Sequence, residues 1–120
     1  MVNRVILLGR LGIAPKLELL GEKEVPHCKL RLAVERRLPE ATVTDWLTVH
    51  VWQDLARACA EHVVKGQRLY VEAHLQAGSW TSPDGQHRAR LQIMAERVVF
   101  LDRPAAAEAT EPPPEAEDES

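Results

Sequence analysis

Apolar and polar residues alternate along most of this chain, the period of strands whose successive side chains face opposite ways. Residues 2–11 (VNRVILLGRL) are nearly continuous in Val, Ile and Leu, predicting a first strand buried on both faces for much of its length. Gly9 and Gly12 are expected to mark a bulge and a bend. After Pro15, residues 16–20 continue the strand, and residues 21–24 (GEKE) form a turn. From 25 to 35 the alternation returns, with Cys28, Leu30, Leu32 and Val34 on one face and His27, Lys29, Arg31 and Glu35 on the other. Residues 36–44 (RRLPEATVT) read as a loop around Pro39. The stretch 44–52 (TDWLTVHVW) then sets Leu47, Val49 and Val51 in an inward row, leaving Trp46, Thr48, His50 and Trp52 outside.

The period changes over residues 54–65 (DLARACAEHVVK). Leu55, Cys59, His62 and Val63 share a helical face, Asp54 suits the N-terminal end, and Gly66 is a natural stop. Residues 67–76 (QRLYVEAHLQ) return to strand alternation with Leu69, Val71, Ala73 and Leu75 inward. Residues 81–86 (TSPDGQ) predict a hairpin turn centred on Asp84-Gly85. Residues 88–101 complete the pattern, with Ala89, Leu91 and Ile93 inward and Arg88, Arg90, Gln92 and Met94 outward. Three strands, a helix and two strands bury one sheet face best by closing, which also removes exposed edges. The expected fold is all-β: an OB-fold, a five-stranded Greek-key barrel with one short helix between the third and fourth strands.

Composition divides the chain in two. Residues 1–103 suffice for one domain with its own core. Residues 104–120, rich in Pro, Glu and Ala, cannot bury one, which predicts a disordered C-terminal tail. The tail carries six of the 18 acidic residues and none of the 15 basic ones, so a net charge of −3 resolves into a body of +3 and an acidic end. No apolar run is long enough to span a bilayer and no signal-peptide layout opens the chain, so a cytoplasmic location is expected, without membrane contact. Cys28 and Cys59 form no Cys-x-x-Cys pair and read as reduced thiols. The histidines lie 12 or more positions apart, so no metal and no cofactor is assigned. Phosphate-loop, nucleophile-elbow and zinc-protease motifs are absent, and the chain is not read as an enzyme.

The candidate chemistry lies on the outer face of the tryptophan strand. Trp46 and Trp52 are six positions apart, roughly 20 Å along one strand face, a span that accommodates several stacked nucleotides. Trp80 stands near the base of a hairpin whose return strand presents Arg88 and Arg90. Indoles stack on any base and arginines supply charge for phosphate, the combination that sequence-tolerant binding of a single strand requires. Thr48 and His50 lie between the two strand tryptophans. Arg36 and Arg37 open a loop that could clamp a strand, and Arg4 and Arg10 flank the first strand. The competing reading makes the tryptophans core for a second layer or a subunit contact. Trp52, beside the helix start, is the most open to it, and Tyr70 could equally be a subunit contact.

Several ordered blocks resemble the bacterial single-stranded DNA-binding protein family. They are residues 3–12 (NRVILLGRLG), 30–34 (LRLAV), 44–46 (TDW), 49–52 (VHVW), 55–56 (LA), 65–72 (KGQRLYVE) and 79–80 (SW) before Asp84-Gly85. The resemblance spans residues 2–102. It implies an OB-fold that binds single-stranded DNA with little sequence preference, usually as a homotetramer, and protects it in replication, recombination and repair. Trp46 and Trp80 match the family's stacking tryptophans, Trp52 a stacking position often held by Phe, and Arg4 and Arg10 lie at or beside basic positions of its first strand. Nucleoid association, a homo-oligomer (a tetramer before a dimer), and replication and repair proteins as further partners follow from the same resemblance. Three departures stand out. Residues 36–45 are shorter than the family's loop and lack its aromatic, the linker is brief, and the tail ends Glu117-Asp118-Glu119-Ser120 without the usual Pro-Phe tip. An accessory protein acting mainly through protein contacts is the alternative these departures suggest. An OB-fold for another ligand, such as an oligosaccharide, is a third.

Overall fold

The inward rows predicted from alternation close on one another. The computed structural model of the chain describes residues 1–101; the domain boundary at 103 and the tail at 104–120 lie outside them. Strands β1 (Val5–Leu11), β2 (Glu18–Leu20), β3 (Val25–Arg37) and β4 (Thr42–Trp52) precede helix α1 (Gln53–His62), and β5 (Arg68–Thr81) and β6 (His87–Phe100) follow it. One sheet runs β1-β5-β6-β4-β3-β2. A further β1–β3 pairing, Arg10↔Ala33 and Leu11↔Leu32, closes five of these strands into a barrel. Its pairs are antiparallel except β4–β6, which run parallel over Val49↔Ile93 and His50↔Met94. This is the expected OB-fold, with β2 as a three-residue strand beside β3.

The core holds Leu11, Cys28, Leu30, Leu32, Val49, Val51, Leu69, Val71 and Ala73, with Ala56, Cys59 and Val63 supplied by α1 and the residue after it. Each buried Leu or Val contributes about 1.5–3 kcal/mol relative to exposure. Burial pushes the Cys28 thiol up to about 11 and the Cys59 thiol up to about 12, so both stay protonated near neutrality. At Gly9 the β1 backbone passes so close to β3 that an added Cβ would lie 2.5 Å from the Ala33 carbonyl oxygen. That crossing needs glycine. Gly9 therefore serves a close approach instead of the expected bulge, since β1 pairs with β5 in unbroken register. The β5–β6 pairing does shift register, at Glu72/Ala73.

Other expectations are corrected. The first strand begins at Val5, and Ile6 and Leu8 stand half exposed on its outer side, so β1 is not buried on both faces. Most of the segment 36–44 is strand: β3 reaches Arg37 and β4 starts at Thr42. A tight turn joins them, Leu38 N–H donating to the Ala41 carbonyl at 2.7 Å. The helix ends at His62, not Lys65, and His62 is exposed, whereas Ala56 and Cys59 face the core. Strand β5 runs on to Thr81, and with β6 forms an arm projecting beyond the barrel. Leu75, Ala89 and Leu91 hold the inward parity but are exposed, because no opposing layer covers the arm there. Among the described residues no helix is long and apolar enough to cross a membrane.

Candidate nucleic-acid interface

The parity that buries Leu30, Leu32, Val49 and Val51 places the alternate residues of β3 and β4 on the barrel's outer face. Cross-strand pairs there are Ala33↔Trp46, Arg31↔Thr48, Lys29↔His50 and His27↔Trp52. Arg31 lies across β4, its Nη1 donating to the Trp46 carbonyl (3.2 Å) and to Thr48 Oγ1 (3.1 Å). That guanidinium fixes the backbone carrying Trp46. Thr48 is thereby engaged on the face where alternation put it.

Beside Trp46 the outer surface opens into a cleft of about 810 Å³, lined among others by Leu8, Arg10, Ala33, Glu35, Trp46 and Arg68. It forms where β1 crosses β3, the crossing that Gly9 permits. Arg10 and Arg68 are register partners on β1 and β5, so their side chains leave the sheet on the same side. Arg10 Nη1 also donates to the Gly66 carbonyl at 3.2 Å. A half-buried indole and two guanidinium groups thus border one open space. It can take a flat ring and an adjacent anion.

The second cluster is on the arm. Trp80 pairs with Arg88 across the hairpin, and Arg90 Cζ sits 4.8 Å from the Trp80 ring centroid. Trp80 is 41% exposed, with the Arg90 cation over its ring. The turn closes as its sequence predicts. Gly85 adopts φ +86°, its N–H donating to the Ser82 carbonyl at 2.9 Å. The Ser82 hydroxyl and the Gln86 N–H donate to Asp84, holding its carboxyl below the usual carboxylate range.

The remaining predicted residues are placed differently. His50 is buried, 6% exposed, with hydrogen-bond partners at both ring nitrogens, so it is no surface contact. Trp52 is half-buried, the His27 ring tilted against it at 4.3 Å between centroids, and its indole N–H is buried without a hydrogen-bond partner among the described residues. Arg4 lies 3.7 Å from the Glu72 carboxylate, which also takes Arg97 at 3.3 Å. Arg36 sits on the opposite side of the β3–β4 hairpin from Trp46 by parity. There it clasps Asp45 at 2.7 Å and 3.2 Å, and its guanidinium holds that carboxyl below its ordinary range. Arg37 is exposed on the Trp46 side near the hairpin tip. Neither arginine opens a loop, because the segment is strand. Arg31 and Arg68 were not singled out from sequence. Alternation puts Arg31 on the outer face, but its pairing with Thr48 and the place of Arg68 in the cleft come from the β3–β4 and β1–β5 registers, which no local pattern reveals.

Comparison with known proteins gives concordant results. The model of the Single-strand binding protein family matches residues 2–101. Single-stranded DNA-binding protein 2 of Clostridium acetobutylicum is 31% identical over 103 residues, covering 84% of this chain and 77% of that protein. Single-stranded DNA-binding protein 1 of a Nostoc species is 34% identical over 101 residues, covering 83% of each. Among solved structures, that described as the Plasmodium falciparum SSB complex with ssDNA superposes with a TM-score of 0.70 at 23% identity. It covers 85% of this chain and 96% of the other, a likeness of fold.

Proposed function

The chain belongs to the single-strand binding protein family, and from that premise we propose that it binds single-stranded DNA with little sequence preference. Bases stack on Trp46 and Trp80, and phosphates are met by Arg10 and Arg68 at the cleft and by Arg88 and Arg90 on the arm. The observation that carries this reading is the cleft itself, which sets an indole beside two arginines on an open outer face. Stacking explains sequence tolerance, since every base has a flat face. The protein acts by occupancy and not by catalysis, protecting exposed strands during replication, recombination and repair in the cytoplasm, at the nucleoid. Exposed Ile6 on β1 supports self-association, for which a homotetramer is the reading.

Titration with oligo-dT, following tryptophan fluorescence at two salt concentrations, tests this. Strong quenching by the single strand and little by duplex is expected, with the logarithm of affinity falling by about 0.7 per neutralised phosphate as the logarithm of salt rises. Equal binding of duplex, or none of either, would overturn it.

A further inference from the structure

Four side chains form a hydrogen-bonded line under the outer face, and the binding reading uses none of them. Glu18 Oε1 lies 3.3 Å from His27 Nδ1, and His27 Nε2 lies 3.0 Å from His50 Nδ1. His50 Nε2 in turn lies 3.4 Å from Gln92 Nε2. The two rings are 3% and 6% exposed, and His27 also abuts Trp52. With the Gln92 amide nitrogen toward the ring, one polarity satisfies every atom. Gln92 donates to His50 Nε2, His50 Nδ1–H donates to His27 Nε2, and His27 Nδ1–H donates to Glu18. Both imidazoles are then neutral.

This line has room for one more proton and not for two. A proton on His50 Nε2 requires only that the Gln92 amide turn its oxygen toward the ring. A second, on His27 Nε2, would set N–H against N–H across 3.0 Å. Glu18 on β2 favours the proton, while Lys29 and Arg31 on β3, the register partners of His50 and Thr48, oppose it. Trp52 on β4 and Gln92 and Met94 on β6 carry no charge, and the Cys28 thiol, on the inner side, stays protonated. A phosphate arriving over this face adds to the pull of Glu18.

We propose that the His27–His50 pair is a proton site of the DNA-binding face, its proton occupancy rising when a single strand binds. The inference rests on the function proposed above. By linkage, a site that gains a proton on binding makes affinity rise as pH falls. One added charge about 7 Å from a phosphate, in water-like screening, corresponds to about threefold tighter binding. It also steepens the salt dependence, by less than about 0.7.

Calorimetry of oligo-dT binding at pH 6.5, in two buffers of different ionisation heat, counts the protons. Uptake of up to about a quarter of a proton per chain is expected, the amount linked to about threefold tightening between pH 8 and pH 6. The double variant H27Q/H50Q should lose both the uptake and the pH response, each protein being referred to its own affinity at pH 8. H74Q should keep them, His74 being paired with Glu96 and separated from His50 by Met94 of β6. Should the double variant misfold, ring-nitrogen NMR of the wild-type chain decides, with the His50 signals moving toward the charged form on adding oligo-dT. Zero uptake alongside normal binding overturns the proton site and leaves the function standing. So does uptake that survives H27Q/H50Q or vanishes in H74Q. Absence of binding at every pH overturns the function itself.

Discussion

Three tryptophans share one side of the sheet, but their surroundings give them unequal work. Trp46 borders the cleft with its backbone tied by Arg31, and Trp80 lies open under Arg90, so both rings are held where a base can reach them. Trp46→Ala and Trp80→Ala should each weaken oligo-dT binding by about 1–3 kcal/mol in equilibrium titration, the worth of one stacked base. Trp52 leans on His27 with its indole N–H buried and unpaired. Removing an unsatisfied buried donor offsets the loss of ring area, so Trp52→Phe should lower stability by less than about 1 kcal/mol in denaturant melts. It should also change affinity less than either alanine variant. Alternation alone placed all three on the outer face. It could not distinguish them, because a ring's accessibility depends on cross-strand neighbours such as His27, 25 positions away along the chain.

Elements were legible wherever a core enforced them. Leu30, Leu32, Val49, Val51, Leu69 and Val71 read as inward from period two and are fully buried. The pattern misled beyond the barrel, where Leu75 and Leu91 keep the parity without a layer to bury against. It also hid the extent of β3 and β4, since Pro39 and a run of charged and small residues look like a loop while the backbone continues paired to a tight turn. The junction of β4 and α1 shows a local conflict. Gln53 takes φ +63° to turn the strand into the helix, a left-handed conformation that costs a side-chain-bearing residue about 1–2 kcal/mol. Gln53→Gly should therefore raise stability by about 1 kcal/mol, read as a higher midpoint in urea, despite glycine's greater freedom when unfolded.

For the molecule as a whole, charge is distributed more tellingly than its sum suggests. A basic body is joined to a tail with six acids and no bases, and we propose that the tail competes with nucleic acid for the basic side chains of the body. Deleting residues 104–120 should tighten oligo-dT binding at low salt and leave it unchanged at high salt, where screening removes the competition. Equal affinity of the two forms at low salt would exclude that role. The architecture has a kinetic consequence as well. Strands β3 and β4 join through a tight turn, as do β5 and β6, so each ribbon can zip locally. The β4–β6 parallel seam instead joins residues 44 apart over only two register pairs. Loop-closure entropy for that contact is paid before any reward arrives, which places the seam late in folding and makes it the first stitch to open under strain. The barrel should breathe there, between the strand bearing Trp46 and the arm bearing Trp80.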